Sequence, residues 1–360
     1  MTHKTKKILI DCRMLYASGV GVNLRSVLTN LESDAMFILA GNPDEISTLS
    51  LNINYTVKEF KHPIFSMKEQ WFYFRHFNKV DCIWFPHWNI PLFTFNRIPK
   101  IVTICDTYHL DRKHEISLLN YLVARLFLKR AVSQADKVVT ISEFSKNKIS
   151  ENLKFNDVTV SKCGVPEIKK YYSEYQRKKL NLPENYFLFI GNNKPHKNLL
   201  KLVDVIDKIP DMHLVIAGRM GGFRTQGNVF KVGSKEGSTL LNKVHIIDQF
   251  SDEEKYCLIK NSRGLVMPST YEGFGLPPLE AQDCGVVALV SDIPVMREIY
   301  GDSVLYFDPH SDADIRRALV SAISDTDLVE RKCLEGTLNV NNYSWEVAAQ
   351  KYKEMFEEVI

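Results

Sequence analysis

Two glutamates, Glu272 and Glu280, stand eight positions apart in YEGFGLPPLEAQDCG, separated by Gly273-Phe274-Gly275 and the pair Pro277-Pro278. Residues 264–269 ahead of them form a short apolar run suited to a buried parallel strand. Gly285 closes a helix-length segment before the β-rich residues 286–290. Proline is favoured at the first helical position, where its missing N–H would have had no partner, so Pro277 or Pro278 is expected to open the helix. A glycine loop ending in a helix N-terminus offers backbone N–H groups and partial positive charge. The missing Cβ atoms of Gly273 and Gly275 are expected to let an anionic ligand approach, and a phosphate fits best.

Two further stretches have the composition of phosphate loops. ASGVGVNLRSVL places Gly19 and Gly21 after a first strand and ahead of a helical pattern, without a full GxGxxG. IGNNKPHKNLLKLV ends a buried strand at Gly191 and starts a helix near Asn198, with Lys194, His196 and Lys197 crowding the entrance.

Positioning these residues takes alternating strands and helices, and the chain shows two such series. ILID, MFILAG, CIWFPH, IVTICD, KVVTIS and VTVSKCG form the first, and YFLFIG, HLVIAG, VHIID, residues 264–269, 286–290 and VLYFDP the second. The expected fold class is α/β with two parallel-sheet domains. The polar, basic segment 169–185 marks the change of domain, giving 1–168 and 169–344, with a terminal helix over about 345–360 packed on one of them. A length of 360 residues suits two cores. A net charge of +3 is too small to imply nucleic-acid binding by itself. Seven scattered cysteines without a CxxC pair favour a reducing cytoplasm over a disulfide framework. The apolar start at Ile8 is too short for a signal-peptide core and reads as a strand.

The stretch Glu272-Gly-Phe-Gly-Leu-Pro-Pro-Leu-Glu280 resembles the E-x7-E signature of the GT4 family of retaining, nucleotide-sugar-dependent glycosyltransferases. IDCRMLYASGVGVNL, VVTISEFSKNKI, GNNKPHKNL and the segment from HIIDQF to DCG extend the likeness along almost the whole chain. It is strongest to a branch containing bacterial O-polysaccharide mannosyltransferases. The resemblance implies the GT-B fold, two Rossmann-like domains facing a central cleft, the first acceptor-side and the second donor-binding. It implies that Glu272 contacts the transferred sugar, that Phe274, Gly275 and Leu276 offer amides to sugar and phosphate beside Gly273, and that Glu280 holds the ribose. Lys197 would neutralise the diphosphate and Gly19, with Gly21, would approach it from the other domain. The donor would be a nucleoside diphosphate sugar, with mannose favoured, needing no metal or other cofactor, and the acceptor a saccharide, in all expectation lipid-linked.

Two departures from the family pattern stand out. A strand end that reads His-Asp in many relatives is Cys105-Asp106 here, leaving Asp106 as the catalytic candidate on that wall and His109 or His87 as partial substitutes. Asn192 stands where many relatives carry a phosphate-binding arginine. These departures keep a non-catalytic nucleotide-sugar-binding protein as an alternative, and a transferase making a soluble small glycoside is a second one. Asp312-Ala-Asp314 matches a metal-binding DxD, but it opens a helical segment and is read as a cap. LLNYLVARLFLKRAV, from Leu118, could favour an anionic membrane surface, although a helix whose charges face water is the expectation. The location implied is cytoplasmic, with peripheral contact at the inner face of the plasma membrane.

Overall fold

The computed structural model describes residues 5–76, 79–92, 98–165, 174–218 and 243–360. The chain divides into two compact units, one of residues 1–164 with 343–360 and one of Val165–Asn342. The change of unit after Gly164 precedes the sequence boundary at 168, and residues 169–173 of the expected connecting segment lie outside the described residues.

The first unit holds a seven-stranded parallel sheet. Its strands are β1 (Lys7–Asp11), β2 (Met36–Gly41), β3 (Asn54–Glu59), β4 (Cys82–Phe85), β5 (Lys100–Thr103), β6 (Lys137–Thr140) and β7 (Val158–Val160), in the order β3-β2-β1-β4-β5-β6-β7. β1, β4 and β5 are almost wholly buried, as strands covered on both faces must be, which is why they read as continuous apolar runs. The terminal helix Trp345–Val359 packs on this unit. Tyr352 packs against Trp84 with ring centroids 4.5 Å apart and bonds Thr103 Oγ1 at 2.8 Å, and Lys351 donates to the Val160 carbonyl at 2.7 Å.

The second unit holds β8 (Tyr186–Ile190), β9 (His213–Ala217), β10 (Val244–Ile247), β11 (Leu265–Met267), β12 (Ala288–Ser291) and β13 (Leu305–Phe307), all parallel, in the order β10-β9-β8-β11-β12-β13. Alternation along β8 divides its side chains between the two faces. Phe187 and Phe189 pack with helices Leu199–Asp207 and Asp312–Ser324, whereas Tyr186 and Leu188 join the cluster around Leu258 and Ala281.

Candidate active site

In the second sheet the chain runs from β8 to one edge, then returns beside β8 as β11 and runs to the other. The loops after β8 and β11 therefore diverge at neighbouring carboxyl ends, the position at which open parallel sheets take ligands. Lys197 ends the short 3-10 turn Pro195–Lys197 in the first loop, and Glu272 lies in the second. Lys197 Nζ is 2.6 Å from Glu272 Oε1, and both side chains are largely buried. A backbone bond of 2.8 Å from Thr270 N–H to the His196 carbonyl ties the two loops together. Burial acts to raise the Glu272 pKa, but Lys197 and then His196 outweigh it, so the carboxyl is held below its ordinary value. The sequence reading took Lys197 as a cation free for a phosphate; the fold has already given it a counter-ion.

The following helix spans Leu276–Asp283, with Gly275 as its N-cap. It opens at Leu276, not at a proline, so Pro277 and Pro278 occupy its second and third positions. Of the four N–H groups that a helix start leaves unpaired, two are thereby deleted and those of Gly275 and Leu276 remain. The glycine at 275 also has a different cause from the one expected. Its φ is +93°, and a Cβ there would lie 2.8 Å from Met296 Cε and 3.3 Å from Met267 Sδ. Packing and backbone conformation require this glycine, and the Tyr300 hydroxyl fixes it further by donating to its carbonyl. Phe274 is buried beside it.

Glu280, on this helix, is buried and not the solvated residue that its position on a helix surface would suggest. Lys255, from helix Asp252–Lys260, donates to Glu280 Oε1, and Glu280 Oε2 is buried without a hydrogen-bond partner among the described residues. An unmet buried acceptor is costly, and a ligand hydroxyl would satisfy it. Asn192 turns inward on its own loop, its Oδ1 accepting from the Lys194 N–H at 3.4 Å.

Gly19, Gly21 and Asp106 belong to the first unit. Gly19 is exposed near the start of helix Ser18–Thr29, with nothing within 4 Å of a Cβ. Gly21 donates its N–H to the Ala17 carbonyl at 3.0 Å, and a Cβ there would lie 2.5 Å from the Leu15 carbonyl oxygen. Close helix packing on the preceding turn accounts for Gly21. Asp106 follows β5 and accepts from the Tyr108 N–H at 2.9 Å. The adjacent Cys105 thiol has its pKa pushed well up, first by burial and then by Asp106.

Residues 173–333 match the family model described as glycosyl transferases group 1. These residues form a group 1 glycosyltransferase domain. The O-antigen chain mannosyltransferase RfbU of Salmonella typhimurium is 29% identical over 248 residues, covering 68% of this chain and 65% of its own. O-antigen chain mannosyltransferase B of Escherichia coli is 26% identical over 235 residues, covering 61% of this chain and 60% of its own. The matched part thus spans under two thirds of these relatives' lengths. Among solved structures, a sucrose-phosphate synthase from Thermosynechococcus elongatus superposes with a TM-score of 0.75 at 15% identity, covering 98% of this chain and 99% of its own. Likeness at that identity carries the fold, GT-B, and nothing of the substrate.

Within the group 1 domain lie residues that sequence reasoning missed. In the sequence His196 only crowds the loop entrance with Lys194 and Lys197, yet its charge helps hold Glu272 ionised and its carbonyl joins the two loops. Lys255 falls inside the family-like segment but carries no motif of its own, because its partner is 25 residues away. The aspartates of the DxD stretch are not themselves the cap that the sequence suggested. Ser311 is the N-cap of Asp312–Ser324, Asp312 pairs with Lys201 at 2.7 Å, and Asp314 pairs with Arg317 at 2.5 Å. The first unit holds an unforeseen polar cluster at its own reversal point, between β1 and β4. Arg13 bridges Asp11 at 2.6 Å and Glu69 at 2.5 Å, and Asn89 donates to both acids.

Proposed function

We propose that this protein is a retaining, metal-independent glycosyltransferase that moves a hexose, with mannose favoured, from a nucleoside diphosphate sugar to a lipid-linked saccharide in bacterial surface-polysaccharide assembly. The observation that carries the reading is the Lys197–Glu272 pair at the β8/β11 reversal of the group 1 domain, beside a helix start stripped to the Gly275 and Leu276 amides. The names of the O-antigen mannosyltransferase relatives support the sugar and the pathway.

In this reading the bond from the sugar anomeric carbon to the diphosphate breaks, and its electron pair leaves with the nucleoside diphosphate. The acceptor oxygen forms the new bond and passes its proton to the departing diphosphate. Charge grows on the leaving diphosphate, where the Lys197 ammonium and the two amides stabilise it. Glu272 then takes sugar hydroxyls in place of Lys197, and Glu280 Oε2 takes a ribose hydroxyl.

The test is incubation with GDP-mannose and a panel of UDP-hexoses, with a lipid-linked saccharide as acceptor, with and without EDTA, and NMR of the product. Transfer with retained anomeric configuration in EDTA is expected. An inverted product, or activity lost in EDTA and restored by manganese, overturns the mechanism, and absence of transfer or donor hydrolysis with every donor overturns the activity.

A further inference from the structure

Lys255 occupies the fourth position of helix Asp252–Lys260, behind the acidic residues Asp252, Glu253 and Glu254. The unpaired N–H groups of a helix start favour those acids and disfavour a cation. The start itself is complete without the lysine, because Ser251 caps it and Glu254 closes a capping box. The Lys255 side chain turns inward to Glu280, with 17% of its surface exposed against 4% for the glutamate. Burial and the helix field both oppose that placement, so the contact with Glu280 must offset them.

As an ion pair the contact is incomplete. Glu280 Oε1 accepts from Lys255, while Oε2 is buried without a partner among the described residues. The ammonium can donate about three hydrogen bonds, and among the described residues it makes the one to Oε1. An open acceptor beside open donors is what a vicinal diol satisfies, since one hydroxyl gives its proton to Oε2 and its neighbour accepts from Nζ. A bare carboxylate would also take a diol, but it would repel a diphosphate held about one helical turn away at the Gly275 and Leu276 amides. Lys255 cancels that charge. We infer that Lys255 is a donor-specificity residue: together with Glu280 it reads the two ribose hydroxyls, one on Oε2 and the other on Nζ, and so selects ribonucleotides over deoxyribonucleotides. The inference rests on the donor-binding reading above and adds to it the lysine and the identity of the nucleotide's own sugar.

Isothermal titration with GDP and UDP, and with the 2′-deoxy and 3′-deoxy forms of each, tests this without acceptor or turnover. The parent should bind each deoxy form about tenfold or more weaker than the matching ribonucleotide, because a site built to hydrogen-bond a hydroxyl is left with unpaired groups when that hydroxyl is missing. In Lys255→Met, checked for folding by circular dichroism, the penalty should shrink to about threefold or less for one deoxy form and persist for the other. Lys255→Arg, which keeps the charge and the donors, should retain both penalties. Should Lys255→Met fail to fold, Lys255→Met/Glu280→Gln, which leaves no buried unpaired charge, should lose most of the selectivity. A parent that binds ribo and deoxy forms alike overturns the inference by itself and leaves the donor reading standing. Penalties that Lys255→Met leaves unchanged, or lowers equally for both forms, also overturn it, since the lysine would then only hold Glu280 or neutralise it. Absence of binding by every nucleotide overturns the donor reading and the inference together.

Discussion

Lys197 Nζ and Glu272 Oε1 lie 2.6 Å apart although 75 residues separate them in the chain, and the lysine holds the largely buried carboxylate ionised. In the proposed transferase, this pair would make donor binding and catalysis interdependent. Glu272→Gln should release Lys197, tightening nucleoside diphosphate binding about fivefold, the equivalent of roughly 1 kcal/mol, while kcat falls about 10²-fold or more. Lys197→Ala should lose about 10²- to 10³-fold in kcat and weaken nucleotide binding, because the bare Glu272 carboxylate would then face the phosphates. The double variant should bind nucleotide better than Lys197→Ala alone. Calorimetry and steady-state kinetics on the three variants check this, and strictly additive binding energies would sink it.

Acid titration reads the same pair. Burial opposes the Glu272 charge, Lys197 and His196 more than offset it, and the folded pKa lies below the ordinary value. A depressed folded pKa contributes stability above the unfolded value, about 4.3, and that contribution is lost as pH falls through the folded value. Denaturant midpoints should therefore decline more steeply below about pH 4 in the parent than in Glu272→Gln. The pH profile of kcat should carry no acidic limb from Glu272 between pH 5 and 8. Identical acid denaturation of the two proteins would contradict the assignment.

Glu280 is anchored by Lys255 through one oxygen and keeps the other unpartnered. Glu280→Gln should chiefly raise the donor KM and leave kcat within a few-fold of the parent. Removing Lys255 leaves a buried carboxylate without its counter-ion, so Lys255→Met should cost about 3 kcal/mol of stability, and Lys255→Met/Glu280→Gln should regain part of it. Urea denaturation of the single and double variants measures both changes.

Gly275→Ala should lower both stability and nucleotide affinity. The backbone at +93° strains any residue with a Cβ, by about 1–2 kcal/mol, and the added methyl would press on Met296. Met296→Ala placed beside it should relieve the clash but not the backbone strain, so recovery should be partial. Full recovery of melting temperature in the double variant would show that φ was not limiting.

Burial and the neighbouring Asp106 raise the Cys105 pKa, which disfavours the thiolate a nucleophile would need. Cys105→Ser should keep substantial activity, and maleimide should label the parent thiol slowly at pH 8. A trapped glycosyl-cysteine would contradict this.

Much of the fold is written locally. The short apolar runs around Ile8, Tyr186 and Leu265 mark strands because a strand buried on both faces tolerates little else, and the alternation with helices follows along the chain. Glu272, Glu280 and the loop between them were legible for the same reason: one strand, one turn and one helix hold them in sequence. Whether a helix begins at Leu276 or at Pro277, and whether Gly275 serves a ligand or the Met296 side chain, depended on what packs against the turn. The sequence also determined that Lys197 stands in the loop that follows a buried strand. It could not pair Lys197 with Glu272, Lys255 with Glu280, or Arg13 with Asp11 and Glu69, because strand order decides which loops become neighbours. Nor could it say which side of helix Leu118–Gln134 would be covered: both sides are apolar, and only the packing of the sheet against Phe127 and Leu128 left the leucines at 118, 119, 122 and 126 outside.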